Sequence, residues 1–368
     1  MFSRIKLYLK NFDWIMFSAV LLLVVFGLVE IYSVALGRGS VNLLNFHKQL
    51  ISALLGFLVM FIVSFIDFHS LKSLSRYIYF IFLILLGAVL FLGETVNGTK
   101  GWFFVGGFAV QPVELAKLAL ILFLSSYFAD LATKVKTFRH LLISGIIAAL
   151  PMFLIVMQPD FGSSLILGAI WLILVIAAGF DRRYLAGIFL SIFVLALFAW
   201  LFFFNSIQKD RILNFIDPSA NALGSGYNTV QSTIAIGSGG LFGKGVGFGS
   251  QSQLKFLPEA QTDFIFAVIA EELGFFGALM IIIFYSVFFF RCFRALPKIN
   301  SDFGIYFIIG AAGLVFIQMF VNIGMVSALV PVVGLPLPFV SYGGSSLLSL
   351  LIIVGIIENI IIRSRISY

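Results

Sequence analysis

Apolar runs of about 20 residues recur along this chain, each interrupted by a short polar stretch. A helix rising 1.5 Å per residue needs about that length to cross a bilayer core of roughly 30 Å. Ten runs satisfy the pattern, over 13–34, 46–66, 76–94, 113–130, 140–157, 163–180, 184–205, 263–290, 304–327 and 343–362. Eight of the nine connections between them are short and one, 206–262, is long and rich in Gly, Ser and Asn. The pattern predicts an all-α polytopic membrane protein of about ten transmembrane helices, a single integral membrane domain over 1–368. The segment 206–262 is expected to be a large extracytoplasmic loop between helices 7 and 8. The stretch Phe2 to Asn11 reads as a basic amphipathic lead-in, because the apolar run behind it is too long for a cleavable signal.

Composition agrees with lipid as the solvent. The 368 residues are 61% hydrophobic and only 11% charged, against about half and a quarter in soluble domains. The formal charge of +7 does not point to nucleic acid, because the basic residues sit in short loops between spans. Fifteen Lys and Arg fall on the side of the termini, and Arg38, Lys48 and Lys100 in short loops on the other. That bias predicts cytoplasmic N- and C-termini. The lone Cys292 cannot form an internal disulfide and is expected in a cytoplasmic loop. His47, His69 and His140 share no ligand spacing, so a metal site built on them is not expected.

Charged groups at membrane depth are costly, so each needs a reason. Glu114 and Lys117 are spaced i, i+3 on one face of the fourth span. They read either as a structural ion pair or as a cation offered to an anionic lipid headgroup. Asp160, in the turn Gln158-Pro159-Asp160-Phe161-Gly162, caps the next helix or partners Lys117 or Arg211. Asp263 opens the eighth span and is equally an N-cap or a partly desolvated carboxylate with a pKa suited to general-base work. At least one of Glu271 and Glu272, two turns deeper, must face the bundle interior. Glu30 and Glu358 lie near span ends and are expected to reach an interface.

Two backbone features complete the inventory. The Gly-rich stretch Gly237 to Gly245 lacks the Walker A pattern, with Ser238 and Gly245 at positions that need Gly and Ser or Thr. Its amides can cradle a pyrophosphate with Lys244 as a point charge, or it is a surface or re-entrant loop. Pro331, Pro336 and Pro338 forbid continuous helix. Broken backbone at membrane depth must be buried in protein or line a cavity. With the run Ser341 to Ser346 this segment reads as a cavity wall or an ordinary outer loop.

Four segments in order carry a resemblance: Asn97 to Lys117, Gln158 to Gly162, Arg211 to Phe266 and Asn322 to Leu348. Together they resemble the SEDS family (shape, elongation, division and sporulation: RodA, FtsW and SpoVE), most nearly its RodA branch. The resemblance implies a peptidoglycan glycosyltransferase of the bacterial cytoplasmic membrane that polymerises lipid II, the undecaprenyl-pyrophosphate disaccharide-pentapeptide. It implies Asp263 as the catalytic carboxylate and a class B penicillin-binding protein as partner. Substrate contacts are expected from Trp102, Gln111, Glu114, Lys117, Asp160, Arg211, Lys244 and Ser341. No cofactor is assigned with certainty, and a divalent cation such as Mg2+ is a candidate at the pyrophosphate. Ile323 to Val326 and Gly334 to Pro338 are RodA-like, whereas Glu259-Ala260 is FtsW-like and Gln261 replaces the usual His. An FtsW-type division paralogue and a lipid II flippase are the competing readings.

Overall fold

The computed structural model describes residues 8–37, 41–96, 98–134, 136–202, 209, 213, 215 and 226–366. Ten of its helices are long and apolar enough to cross a membrane, and the chain is a multi-pass membrane protein. In chain order they are α1 (Trp14–Ala35), α2 (Leu44–Phe65), α3 (Phe68–Leu92), α4 (Pro112–Ala129), α5 (Phe138–Val156), α6 (Phe161–Ala178) and α7 (Arg182–Phe202). After α8 (Tyr227–Gly239) and the single turn α9 (Ser250–Gln253) come α10 (Ile265–Ala295), α11 (Asp302–Val326) and α12 (Gly344–Ile366). Their boundaries follow local chemistry. The side chains of Asp13, Asp67 and Asp160 accept from amides in the first turns of α1, α3 and α6. Pro112 begins α4, where its missing amide costs nothing. Gly179 ends α6 in the left-handed conformation.

Burial ranks the helices. α12, α4 and α11 are the most enclosed, and the apolar window of α7 has no buried residue, as suits a helix at the lipid-facing periphery. α2 packs on α12, α1 on α10, α3 and α11 on α4, and α5 on α6. Small residues permit the closest approach. A Cβ at Gly355 would stand 2.6 Å from the Met60 carbonyl oxygen, and one at Gly56 would stand 2.5 Å from a Leu351 methyl.

Three expectations are revised. The fold is mostly helical but not entirely so: β1 (Glu94–Val96), β2 (Thr99–Val105) and β3 (Phe108–Val110) form an antiparallel meander between α3 and α4. Val105 pairs with Phe108 across Gly106 and Gly107, both at positive φ, the geometry of a two-residue hairpin turn. Second, 206–262 is not a loop throughout. Its later part contains α8, which packs on α10 and α11, with Ser232 bonded to the Val326 carbonyl. Most of 203–225, including Arg211, lies outside the described residues. Third, α10 continues to Ala295, so Cys292 is a buried helical residue rather than a loop thiol.

Candidate functional site

Ten spans bring both termini to one end of the bundle, and the polar features of interest gather at the opposite end. Three stretches of irregular backbone build this part of the protein, and the second and third are bonded to each other.

The first is a break within α10. Gly274 adopts φ 67 and ψ −161, a region open to glycine alone. A continuous helix would bond the carbonyls of Glu271 and Glu272 to the amides of residues 275 and 276. Here those carbonyls accept from the amides of Lys244 (3.0 Å) and Gly245 (2.9 Å). The amides of Phe275 and Phe276 donate to the carbonyls of Gly240 (2.9 Å) and Leu241 (3.2 Å). The Gly-rich stretch therefore plugs into the helix break and pairs these two carbonyls and two amides. The side chains reinforce the joint. Glu271, fully buried, accepts from Lys244 Nζ at 2.9 Å and from the amides of Gln251 and Ser252. Glu272 accepts from Ser33 Oγ of α1, Ser252 Oγ and the Gly247 amide. Of the two readings of 237–245, this geometry favours a structural one: the amides of Lys244 and Gly245 bond helix carbonyls, and the ammonium bonds Glu271 and Ser250.

The second stretch joins α11 to α12. Residues 327–343 are non-helical, as the prolines require, and Leu335, Leu337, Phe339, Val340 and Ser341 are buried. The Tyr285 hydroxyl donates to the Pro338 carbonyl. Its later part, 335–341, lies inside the protein.

The third is the turn 261–264 that carries Asp263. Its backbone is stitched to the second stretch at three points. Asn322 Nδ2 donates to the Asp263 carbonyl at 2.8 Å and to the Leu335 carbonyl at 2.6 Å. Ser341 Oγ donates to the Thr262 carbonyl at 2.6 Å and accepts from the Leu337 amide at 2.7 Å. The Tyr342 amide donates to the Gln261 carbonyl at 2.8 Å. The N-cap residue of α10 is Phe264 and not Asp263. The Asp263 side chain is half-buried and lies against Gly334, where a Cβ would stand 3.4 Å from Oδ2. Gly334 itself has φ 72, so glycine at this position serves both the turn and the room left beside the carboxylate. Beside this turn opens a cavity of about 500 Å3, lined by Asn42, Asn45, Lys255, Glu259, Gln261, Thr262 and Tyr342 among others.

The remaining expected contacts fall into two groups. Asp160 is the α6 cap, accepting from the Ser163 amide at 2.9 Å. Its turn abuts the second stretch, since a Cβ at Gly162 would meet the Val333 carbonyl oxygen at 2.9 Å. The Gln111 amide donates to Ser345 Oγ, tying the start of α4 to that of α12. Glu114 and Lys117 form an ion pair of 2.8 Å whose side chains are only 5% and 1% exposed. That enclosure favours the structural pair over a cation presented to substrate. Ser341 is likewise 6% exposed, and its hydroxyl holds the backbone of Thr262 and Leu337. Trp102 lines a separate, mostly apolar hollow of about 380 Å3 with Phe82, Leu92, Phe103 and Pro112. Glu30 and Glu358 are fully buried and not interfacial. Glu358 accepts from the Asp13 amide at 3.1 Å. Half-burial raises the pKa of the Tyr342 hydroxyl, which borders the cavity. Among the described residues no three His, Cys, Asp or Glu side chains converge on a metal-sized site.

The family model for a cell cycle protein, FtsW/RodA/SpoVE, matches residues 13–366. The chain belongs to this family. Stage V sporulation protein E of Bacillus subtilis is 35% identical over 362 residues, covering 96% of this chain and 98% of that protein. Peptidoglycan glycosyltransferase MrdB of Escherichia coli is 37% identical over 306 residues, covering 83% and 82%. A solved structure described as "Structural coordination of polymerization and crosslinking by a peptidoglycan synthase complex" superposes with TM-score 0.80 at 27% identity, covering 97% of this chain and 98% of that one. For this member of the FtsW/RodA/SpoVE family, sequence reasoning singled out Asp263 and Ser341 but gave Asn322 and Lys255 no role. Asn322 had a readable signal: an amide in an otherwise apolar span, a few residues before a proline-broken segment.

Proposed function

We propose that this chain is a peptidoglycan glycosyltransferase that polymerises lipid II with inversion, with Asp263 as general base. The observation that carries the reading is the placement of Asp263: a half-buried carboxylate beside Gly334, on a turn whose carbonyls are held by Asn322 and Ser341 and whose neighbours Gln261 and Thr262 line an open cavity. The names of its relatives support the same chemistry. The carboxylate takes the proton from the 4-hydroxyl of the incoming lipid II. The freed oxygen bonds to C1 of the growing chain's muramic acid on the face opposite the pyrophosphate. The C1–oxygen bond to pyrophosphate breaks, and its electron pair leaves with the lipid pyrophosphate. One base suffices because pyrophosphate departs without a proton, unlike the paired carboxylates of glycoside hydrolysis.

Developing charge on the leaving group calls for a cation. Lys117 and Lys244 are committed to Glu114 and Glu271. Lys255, exposed and lining the cavity beside Thr262, is the better-placed candidate among the described residues. A divalent cation such as Mg2+ finds no protein-built ligand set among those residues, so no step is routed through one.

The charge bias places both termini in the cytoplasm and Asp263 at the outer face of the bacterial cytoplasmic membrane. A class B penicillin-binding protein is the proposed partner, in line with the synthase complex that this fold matches. RodA-type elongation is the preferred role; similar identity to SpoVE and MrdB keeps the FtsW-type role, with the same chemistry, as the second reading. The test is lipid II polymerisation by purified protein with the cognate transpeptidase. Asp263→Asn is expected to abolish polymer while the protein stays folded and inserted. Polymer at near the parent rate from Asp263→Ala sinks the base assignment, and leaflet exchange without polymer favours the flippase.

A further inference from the structure

At the end of the bundle that carries the termini, the last turns of α10 and α12 meet residues 8–13. Asp13, only 2% exposed, receives Arg291 Nε at 3.0 Å on each carboxylate oxygen and Arg365 Nη2 at 3.2 Å. Arg365 Nη1 donates to the Asn11 carbonyl at 2.6 Å. Next to this joint is a hollow of about 100 Å3, lined by Asp13, Arg291, Arg294, Lys298, Ser364 and Arg365 among others. Its charge does not balance. Of the four cations that line it, Arg291 and Arg365 are paired with Asp13, behind which lies the buried carboxylate of Glu358, and Arg294 and Lys298 add two positive charges. Among the described residues neither Arg294 nor Lys298 forms an ion pair within 4.0 Å. Cations are favoured at helix C-termini by the helix dipole and on the cytoplasmic side by membrane insertion. Those effects explain why the residues are basic. They do not explain why four converge on one small hollow, where mutual repulsion opposes them.

We infer that this hollow binds the phosphate of an anionic phospholipid headgroup in the leaflet on the side of the termini. Its size admits one phosphate group. The Arg294 guanidinium, which is not engaged by Asp13, can match phosphate oxygens bidentately, and the Lys298 ammonium adds donors. Basic pockets between membrane helices recognise headgroups by this chemistry. The source is a lipid rather than free phosphate because the rim continues into apolar surface: Phe290, Phe293 and Ile366, at the same ends of α10 and α12, are 60%, 55% and 46% exposed, ready to meet acyl chains.

The test uses the full chain purified in a neutral detergent, with the unfolding temperature followed against added ligand. A ligand that binds only the folded state raises it in a saturable way. Dioctanoyl phosphatidylglycerol is expected to do so, and dioctanoyl phosphatidylcholine is not. Arg294→Gln and Lys298→Gln, both at exposed positions, are each expected to weaken the apparent affinity about tenfold, the worth of one charge-assisted hydrogen bond. Inorganic phosphate that reproduces the phosphatidylglycerol curve, and loses it in the double variant, overturns the lipid source. Equal responses to both lipids, or a phosphatidylglycerol response unchanged in the double variant, overturn the site.

Discussion

Asn322→Ala removes one amide that serves two backbones. Asn322 is fully buried, and its two amide hydrogens reach the Asp263 and Leu335 carbonyls at 2.8 and 2.6 Å. Each carbonyl left without a partner in a buried site costs about 1–3 kcal/mol. The Asp263 turn is half-buried, so water relieves part of its share, and a loss of about 2–4 kcal/mol follows for the pair. The larger effect is expected in catalysis. Asn322 is the side chain that clamps the Asp263 turn to the Gly334 segment, and a displacement of about 1 Å at a reacting group can cost on the order of 10²-fold in rate. The assay is polymerisation of fluorescent lipid II by purified variant with its transpeptidase, well below its unfolding temperature, alongside a thermal melt. The reasoning predicts a fall in kcat of about that size with KM little changed, because the cavity lined by Lys255 and Asn45 is intact. A variant that polymerises near the parent rate refutes the positioning role. So does one whose lost rate matches its lost folded fraction.

Further outcomes follow from the same geometry. Gly274→Ala places a Cβ 2.3 Å from the Gly243 nitrogen at a φ that alanine avoids, so a loss of about 3 kcal/mol or more is expected in a thermal melt. Lys117→Met leaves Glu114 buried and unpaired, at about 3–5 kcal/mol. The double variant with Glu114→Gln should recover most of that stability, and a stable but inactive double variant would reinstate Lys117 as a substrate contact. The amide of His69, with help from its ring and from Arg363, holds the Asp67 carboxyl below its ordinary value of 3.8. A lowered carboxyl contributes stability above that ordinary value and loses it as the pH falls through the folded one. Asp67→Asn should therefore be slightly less stable than the parent at neutral pH, with the difference closing in acid melts.

The span pattern was legible because lipid imposes one rule on every residue of a long run. All ten helices lie within a few residues of their sequence-based limits, apart from the ends of α3 and α10 where amphipathic turns extend the helix past the apolar window. The meander at 94–110 was missed because it is too short to be judged by the length of an apolar run. Its signal was local, in Gly106-Gly107 between Phe-rich strands. Asp160 was legible as a cap because capping depends on a neighbour three residues away. Lys244 was not, because its partner is 27 residues distant on another element and a Gly-rich loop with a lysine reads the same whether it faces a phosphate or a helix break.

That last ambiguity bears on how the site is built. Two breaks, at Gly274 and at 327–343, release backbone groups that lipid cannot satisfy, and each is repaired by groups from elsewhere in the chain. The first is filled by 240–245 and the second by Gln49, Tyr285, Asn322 and the Asp263 turn. Gln49 alone accepts from the Gly343 amide and donates to the Ser341 carbonyl. A carboxylate on a continuous helix would be held by one element and aimed by its rotamer. Asp263 sits instead on the turn at the head of α10, stitched to the buried 335–341 segment by Asn322, Ser341 and Tyr342. Its position is therefore set by α2, α10 and α11 together, and substitutions at Gln49 or Ser341 should act through the same clamp as Asn322 although no atom of either need reach the sugar.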